Sequence, residues 1–129
     1  MTLKSILAIG TGGFIGAILR YLVEISVAHT TIPLSTLIVN LLGSFILGSL
    51  FAIFMKVKID MHLKSLLSTG MMGAFTTYST FALQSFLLMD KGDYFSAFLN
   101  MSLNLFGTVL FAGLGFVLFE KILKEREEI

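Results

Sequence analysis

Apolar residues fill four long stretches of the chain, at residues 3–27, 34–55, 63–89 and 94–119, and charged residues gather in the gaps between them and at the end. About 20 apolar residues rising 1.5 Å each cross a hydrocarbon core roughly 30 Å thick. The pattern therefore predicts an all-α membrane protein of four transmembrane helices, forming a single domain over residues 1–129. The gaps are short. His29-Thr30-Thr31-Ile32-Pro33 carries the only proline, which suits the first residues of a following helix. Residues 56–62 form a basic turn, and Asp90-Lys91-Gly92-Asp93 a tight polar one. Connections of this length predict that successive helices lie side by side and antiparallel. The tail at residues 120–128 reads as a solvated, frayed helix end.

Polar residues inside the apolar stretches must face protein or water, because lipid offers no hydrogen bonds. In the first span Gly12, Gly16 and Arg20 recur at four-residue spacing and so share a helix face. The glycines read either as close-packing positions or as part of a polar path. Arg20 pairs with Glu24 one turn on; it is either an interfacial ion pair that reaches the surface or a cation gathering anions at a vestibule. In the second span Thr36, Asn40, Ser44 and Gly48 repeat the spacing. Asn40 is either glue between helices or a donor to a passing solute. The fourth span carries Asn100, Asn104 and Thr108 in one more such stripe.

The third span departs most from a regular helix. Two glycines, Gly70 and Gly73, precede five consecutive residues with hydroxyl side chains at positions 76–80. Such residues are poor material for a lipid-facing helix, and the segment predicts a break near residues 73–79 whose freed backbone groups line a cavity or hold an ion.

Composition narrows the class. The 129 residues are 56% hydrophobic and 13% charged, with mean hydropathy +0.93, too few polar groups to cover a water-soluble fold. A net charge of +1 gives no basic face for nucleic acid. There are no cysteines, so disulfides and thiolate chemistry are excluded. Charge between Lys4 and the first possible cleavage site, at Arg20 and Glu24, predicts a retained first helix rather than a signal peptide. Lysines and arginines concentrate on the side of the N-terminus, which predicts cytoplasmic termini.

No catalytic constellation assembles, since His29 and His62 are single loop residues, and the chain does not read as an enzyme. Aspartate and glutamate are missing from the centres of all four spans. A narrow path rich in donors, with a cation near its mouth and no anionic ring, favours a small anion.

The chain resembles the Fluc (CrcB) fluoride channels over nearly its whole length. The resemblance rests on Gly12-Gly13-Phe14-Ile15-Gly16-Ala17-Ile18-Leu19-Arg20-Tyr21, on Thr36-Leu37-Ile38-Val39-Asn40-Leu41-Leu42-Gly43-Ser44-Phe45, and on residues 69–81, in that order. It implies a fluoride-selective passive channel in the cell or inner membrane that exports fluoride and protects against its toxicity. It further implies an antiparallel, dual-topology dimer in the lipid bilayer, with two pores at the interface and a structural Na⁺ at the centre. By motif position, Asn40 resembles the pore amide, Tyr78 and Phe81 the two aromatics, and Arg20 the vestibule cation. Gly73 and Thr76 resemble the residues whose carbonyls hold Na⁺. Thr77, Ser79 and Thr36 flank the path, and Asn104 with Thr108 stands where the family has a hydroxyl track.

Two features depart from the family pattern. Tyr78 replaces the usual Phe, and the strong loop-charge bias is unusual for dual topology, so the second subunit is either another copy or an oppositely oriented relative. Two other classes compete: a small multidrug-type proton-coupled exporter, for which Glu24 is the available carboxylate, and a non-transporting helical scaffold.

Overall fold

The computed structural model describes residues 2–27 and 31–127; His29 lies outside the described residues. Helix α1 (Leu3–Ser26) starts at Thr2, whose side chain accepts from Ser5 N. Helix α2 (Leu34–Lys56) starts after Pro33, whose carbonyl accepts from Leu37 N at 3.2 Å. The third apolar stretch divides into α3 (Met61–Ser65), a wider π-helical segment (Leu66–Met72), α4 (Gly73–Phe75) and, after a break, α5 (Tyr78–Asp90). Helix α6 (Tyr94–Glu127) is the longest.

Three of these, α1, α2 and α6, are unbroken, long and apolar enough to cross a membrane. The third stretch reaches comparable length only by adding its two pieces. Its interruption falls at Thr76 and Thr77, inside the predicted window, while Gly73 itself stays helical. The π segment was not predicted: the Gly73 amide reaches back to the Ser68 carbonyl, five residues away. Helix α6 also runs past the predicted end of its span at residue 119. At 1.5 Å per residue its 34 residues extend about 51 Å, so the charged end projects beyond roughly 30 Å of hydrocarbon. That end stays helical with help from an ion pair one turn apart, Lys124 Nζ to Glu120 Oε1 at 3.0 Å.

Two loops are fixed by capping. Asp60 accepts from His62 N and Leu63 N at the start of α3, and the His62 bond is the main cause that lowers its carboxyl pKa. Between α5 and α6, Gly92 at φ 80° allows Gly92 N to reach Met89 O and Asp93 N to reach Leu88 O, both at 2.9 Å. Asp93 then caps α6 through Ser96, which holds its carboxyl below the usual range.

Of the helices joined by short loops, α5 and α6 pack side by side as predicted, but α1 and α2 do not. Helix α1 lies mainly on α3, the π segment and α4, and touches α2 only lightly, whereas α2 lies along α6 and α5 packs on α6. The cause is close backbone approach. A Cβ at Gly12 would overlap the Leu66 carbonyl, and one at Gly16 the Met71 carbonyl. On the other side a Cβ at Gly48 would overlap the Ala112 carbonyl, and one at Gly115 the Phe45 carbonyl. The glycine stripe of the first span is thus a packing surface for the first half of the third. Large apolar side chains such as Phe14, Phe95, Phe106 and Val109 point outward, as suits helices surrounded by lipid.

A matched pair of substitutions tests this packing. Gly16→Ala forces backbone apart and is expected to destabilise the protein by about 1–3 kcal/mol. Gly10→Ala meets nothing within 4 Å and is expected to leave stability unchanged or raise it slightly. Melting temperatures of the two variants in detergent check the contrast.

Candidate functional site

Between α4 and α5 the chain turns extended at Thr76 (φ −79°, ψ 156°) and Thr77 (φ −147°, ψ 115°). A helix that stops leaves backbone donors and acceptors without partners, and within a bilayer no water replaces them. Asn40 of α2 meets that need. Its Oδ1 accepts from Thr77 N at 2.8 Å, and its Nδ2 donates to Thr77 O at 3.1 Å. Thr77 in turn caps α5, accepting at Oγ1 from Thr80 N at 3.3 Å and donating to Thr80 Oγ1 at 2.9 Å. Thr76 closes the other side by donating its hydroxyl to Met72 O at 3.0 Å.

This arrangement releases two carbonyls. In a continuous helix Thr77 N would donate to Gly73 O and Thr80 N to Thr76 O, but those amides go to Asn40 and to Thr77 Oγ1. Gly73 is exposed, with open space where a side chain would stand. Neutral carbonyl oxygens suit a hard cation such as Na⁺ better than a transition metal. Among the described residues no group of three or more His, Cys, Asp or Glu side chains could hold a metal.

The second hydrogen of the Asn40 amide goes to Asn104 Oδ1 at 2.8 Å. Asn104 Nδ2 donates to Asn100, at the backbone carbonyl (3.0 Å) and at Oδ1 (3.1 Å). Asn100 Nδ2 donates to Ser85 Oγ at 2.9 Å, and the Ser85 hydroxyl donates to Phe81 O at 2.9 Å. One directed chain of hydrogen bonds therefore leaves the break at Thr77, passes through α2 and α6, and returns to α5 one turn past Tyr78. Its amides are deeply buried: Asn100 is 0% exposed, Asn104 4% and Asn40 7%.

A cavity of about 450 Å³ opens beside this chain. It brings together Asn40, Thr76, Thr77, Tyr78, Phe81, Asn104 and Thr108, with Ser44 and the apolar Leu47, Met101 and Leu105 completing the wall. Tyr78 and Phe81 meet at 5.4 Å between ring centres and 66° between planes, an edge-to-face contact. Tyr78 is 80% exposed, so most of its side chain is left uncovered by the rest of the chain.

Other expected residues lie elsewhere. Thr36 is buried one turn before Asn40 and does not line the cavity, and Ser79 is exposed on the outer side of α5. Arg20 sits on α1 apart from the cavity, with Nε 4.0 Å from Glu24 Oε1 and both side chains about one-third exposed. The sequence did not single out Ser85 or Ser44 for the site, and it placed Asn100 in the polar stripe of the fourth span without naming it among the site residues. Ser85 had a usable signal, since it stands one turn after Phe81 on the same face of α5.

Against family models the chain matches the one described as CrcB-like protein, Camphor Resistance (CrcB), over residues 7–116. The chain belongs to the CrcB family. The matched region includes every residue of the cavity and stops before the projecting end of α6. Among curated CrcB relatives, a protein of Sulfurimonas denitrificans is 52% identical over 128 residues, covering 96% of this chain and 99% of the relative. A protein of Nautilia profundicola is 48% identical over 129 residues, covering 96% and 100%. One of Campylobacter jejuni is 47% identical over 122 residues, covering 92% and 99%. Each of the three bears the name fluoride-specific ion channel FluC.

Asn40→Asp keeps the acceptor for Thr77 N but sets carboxylate oxygens against Thr77 O and Asn104 Oδ1. Two lost donors in a buried site cost about 1–3 kcal/mol each. A lower melting temperature in detergent, with depressed anion permeation in liposomes, is the expected result. An unchanged melting temperature would mean that this amide does not hold the break.

Proposed function

We propose that this chain is a fluoride-specific passive ion channel whose conduction path runs past the cavity between α2, α5 and α6. The observation that carries the reading is the helix break held by Asn40 in a wall of amides, hydroxyls and ring edges, in a chain about half identical to fluoride-channel relatives along nearly its full length. A small anion entering such a wall exchanges its water shell for N–H and O–H donors and the positive edges of Tyr78 and Phe81. No bond is made or broken, and a membrane potential alone moves the anion, at roughly 2.3 kcal/mol per 100 mV. With the interior negative the ion leaves the cell, which protects a cell that fluoride has entered.

The cavity is open to one side, where its lining residue Tyr78 is exposed, and Ser79 and Gly73 are exposed outside it. Exposed hydroxyls and released carbonyls are costly in lipid. A second, antiparallel copy laid over this surface covers them and completes two paths, which supports a dual-topology homodimer in the inner membrane. The carbonyls of Gly73 and Thr76, freed from helical bonding, would then hold Na⁺ together with those of the other copy. When bound, that ion supplies fixed positive charge and ties the two breaks to each other. Arg20, near the end of α1, serves as a cation at the mouth, and Thr36 and Ser79 support the path from outside the cavity.

The exporter alternative lacks a carboxylate in the cavity; Glu24 lies near the end of α1 beside Arg20. Purified protein in liposomes is expected to release fluoride far faster than empty vesicles and to leave chloride inside. Glu24→Gln is expected to spare that flux, and Phe81→Ile to depress it while the protein still folds. Fluoride release no faster than from empty vesicles would overturn the channel reading, and complete loss of transport in Glu24→Gln would favour the exporter.

A further inference from the structure

The hydrogen bonds of the cavity's amides and threonines pose a problem for any anion that would bind them; of the lining hydroxyls only those of Ser44 and Tyr78 stand outside this set. Both Asn40 amide hydrogens are already engaged, by Thr77 O and Asn104 Oδ1. Both hydrogens of Asn104 point away from the cavity, to Asn100. Thr76, Thr77 and Thr108 likewise donate their hydroxyls to protein acceptors, Thr108 to Asn104 O at 2.6 Å. In this resting arrangement the amide that meets Asn40 presents an oxygen, which repels negative charge.

Every member of the chain behind Asn104 is symmetric in the sense that matters. A carboxamide has nearly the same shape after its oxygen and nitrogen exchange places, and a serine hydroxyl rotates freely to donate or accept. Asn100 and Ser85 stand behind the wall and do not line the cavity.

We propose that the relay reverses when a small anion arrives, so that Asn104 turns an N–H toward the cavity and, with Asn40, forms an anion site that the resting subunit does not offer. This rests on the channel reading above. Asn104 Oδ1 then accepts from Asn100 Nδ2, and Asn100 Oδ1 accepts from the Ser85 hydroxyl. The links between Asn104, Asn100 and Ser85 are all kept with their direction inverted. Three bonds are given up, from Asn40 Nδ2 to Asn104 Oδ1, from Asn104 Nδ2 to the Asn100 backbone carbonyl and from Ser85 to Phe81 O. The anion offsets them with two charge-assisted bonds, each roughly twice as strong as a neutral one. When the anion leaves, two donors face each other without an acceptor, so the resting direction returns. Ser85 is thus a positioning residue that acts on the anion through two amides, because it is the group that must change from acceptor to donor toward Asn100.

The test uses the full-length protein in lipid nanodiscs, with asparagine side chains labelled with ¹⁵N, and sodium fluoride as the probe against sodium chloride. Fluoride is expected to shift the side-chain amide signals of both Asn40 and Asn104 saturably, and chloride is expected to shift neither. In liposomes Ser85→Ala is expected to lower fluoride flux about tenfold, the factor that one lost hydrogen bond is worth, and Ser85→Thr to restore it. An Asn104 signal that stays fixed in protein that still conducts fluoride would overturn the reversal and leave the channel reading intact. A wild-type protein that conducts no fluoride would overturn the channel reading, and the reversal with it. Should Ser85→Ala fail to fold, the wild-type signals decide alone.

Discussion

A polypeptide that stops being helical inside a membrane must find partners for its backbone, and here the side chain of Asn40 supplies them to Thr77 through both its oxygen and its nitrogen. The other placements follow from that contact. Asn40 reaches the break only if α2 lies against the third stretch at the right height, and α2 is fixed by its backbone-to-backbone fit on α6 at Gly48 and Gly115. The same fit brings Asn104 within reach of Asn40. The break also frees the carbonyls of Gly73 and Thr76 and starts α5 at Tyr78, so one asparagine sets the position of the proposed cation ligands and of the aromatic pair.

The site has two layers with different chemistry. In front, around the open cavity, stand ring edges and exposed groups of α5 that the proposed second copy would cover. Behind them lies a saturated chain of amides, with Asn100 fully enclosed. A fully satisfied polar network in a low-dielectric setting is rigid in position but leaves the direction of its bonds open, and direction is the property that an anion reads. Apolar filling of that back wall would hold α5 as firmly and could not present a donor.

Much of this was legible in the sequence, for reasons that differ from element to element. The long helices were legible because a bilayer demands length and apolarity, both local properties. The break was legible because the Gly and Thr run at residues 70–80 weakens the helix locally, and it falls at Thr76 and Thr77, inside the expected window. The π segment was not, because it accompanies a close approach of α1 at Gly12 and Gly16 that no neighbouring residue announces. Four-residue stripes correctly put Asn40 and Asn104 on polar faces. That these faces meet, and that the chain closes through Ser85 onto Phe81, depends on helix pairing; the short loops suggested neighbours in sequence order, and for α1 and α2 glycine contacts chose otherwise.

The most direct measurement of the central contact is the exchange rate of the Thr77 backbone amide hydrogen with solvent, followed by NMR in lipid. Bonded to Asn40 within a buried wall, it is expected to exchange as slowly as the amides in the middle of α2, and to become fast when Asn40 is replaced by Ala. Exchange in the intact protein as fast as that of a loop amide such as Lys58 would contradict the account.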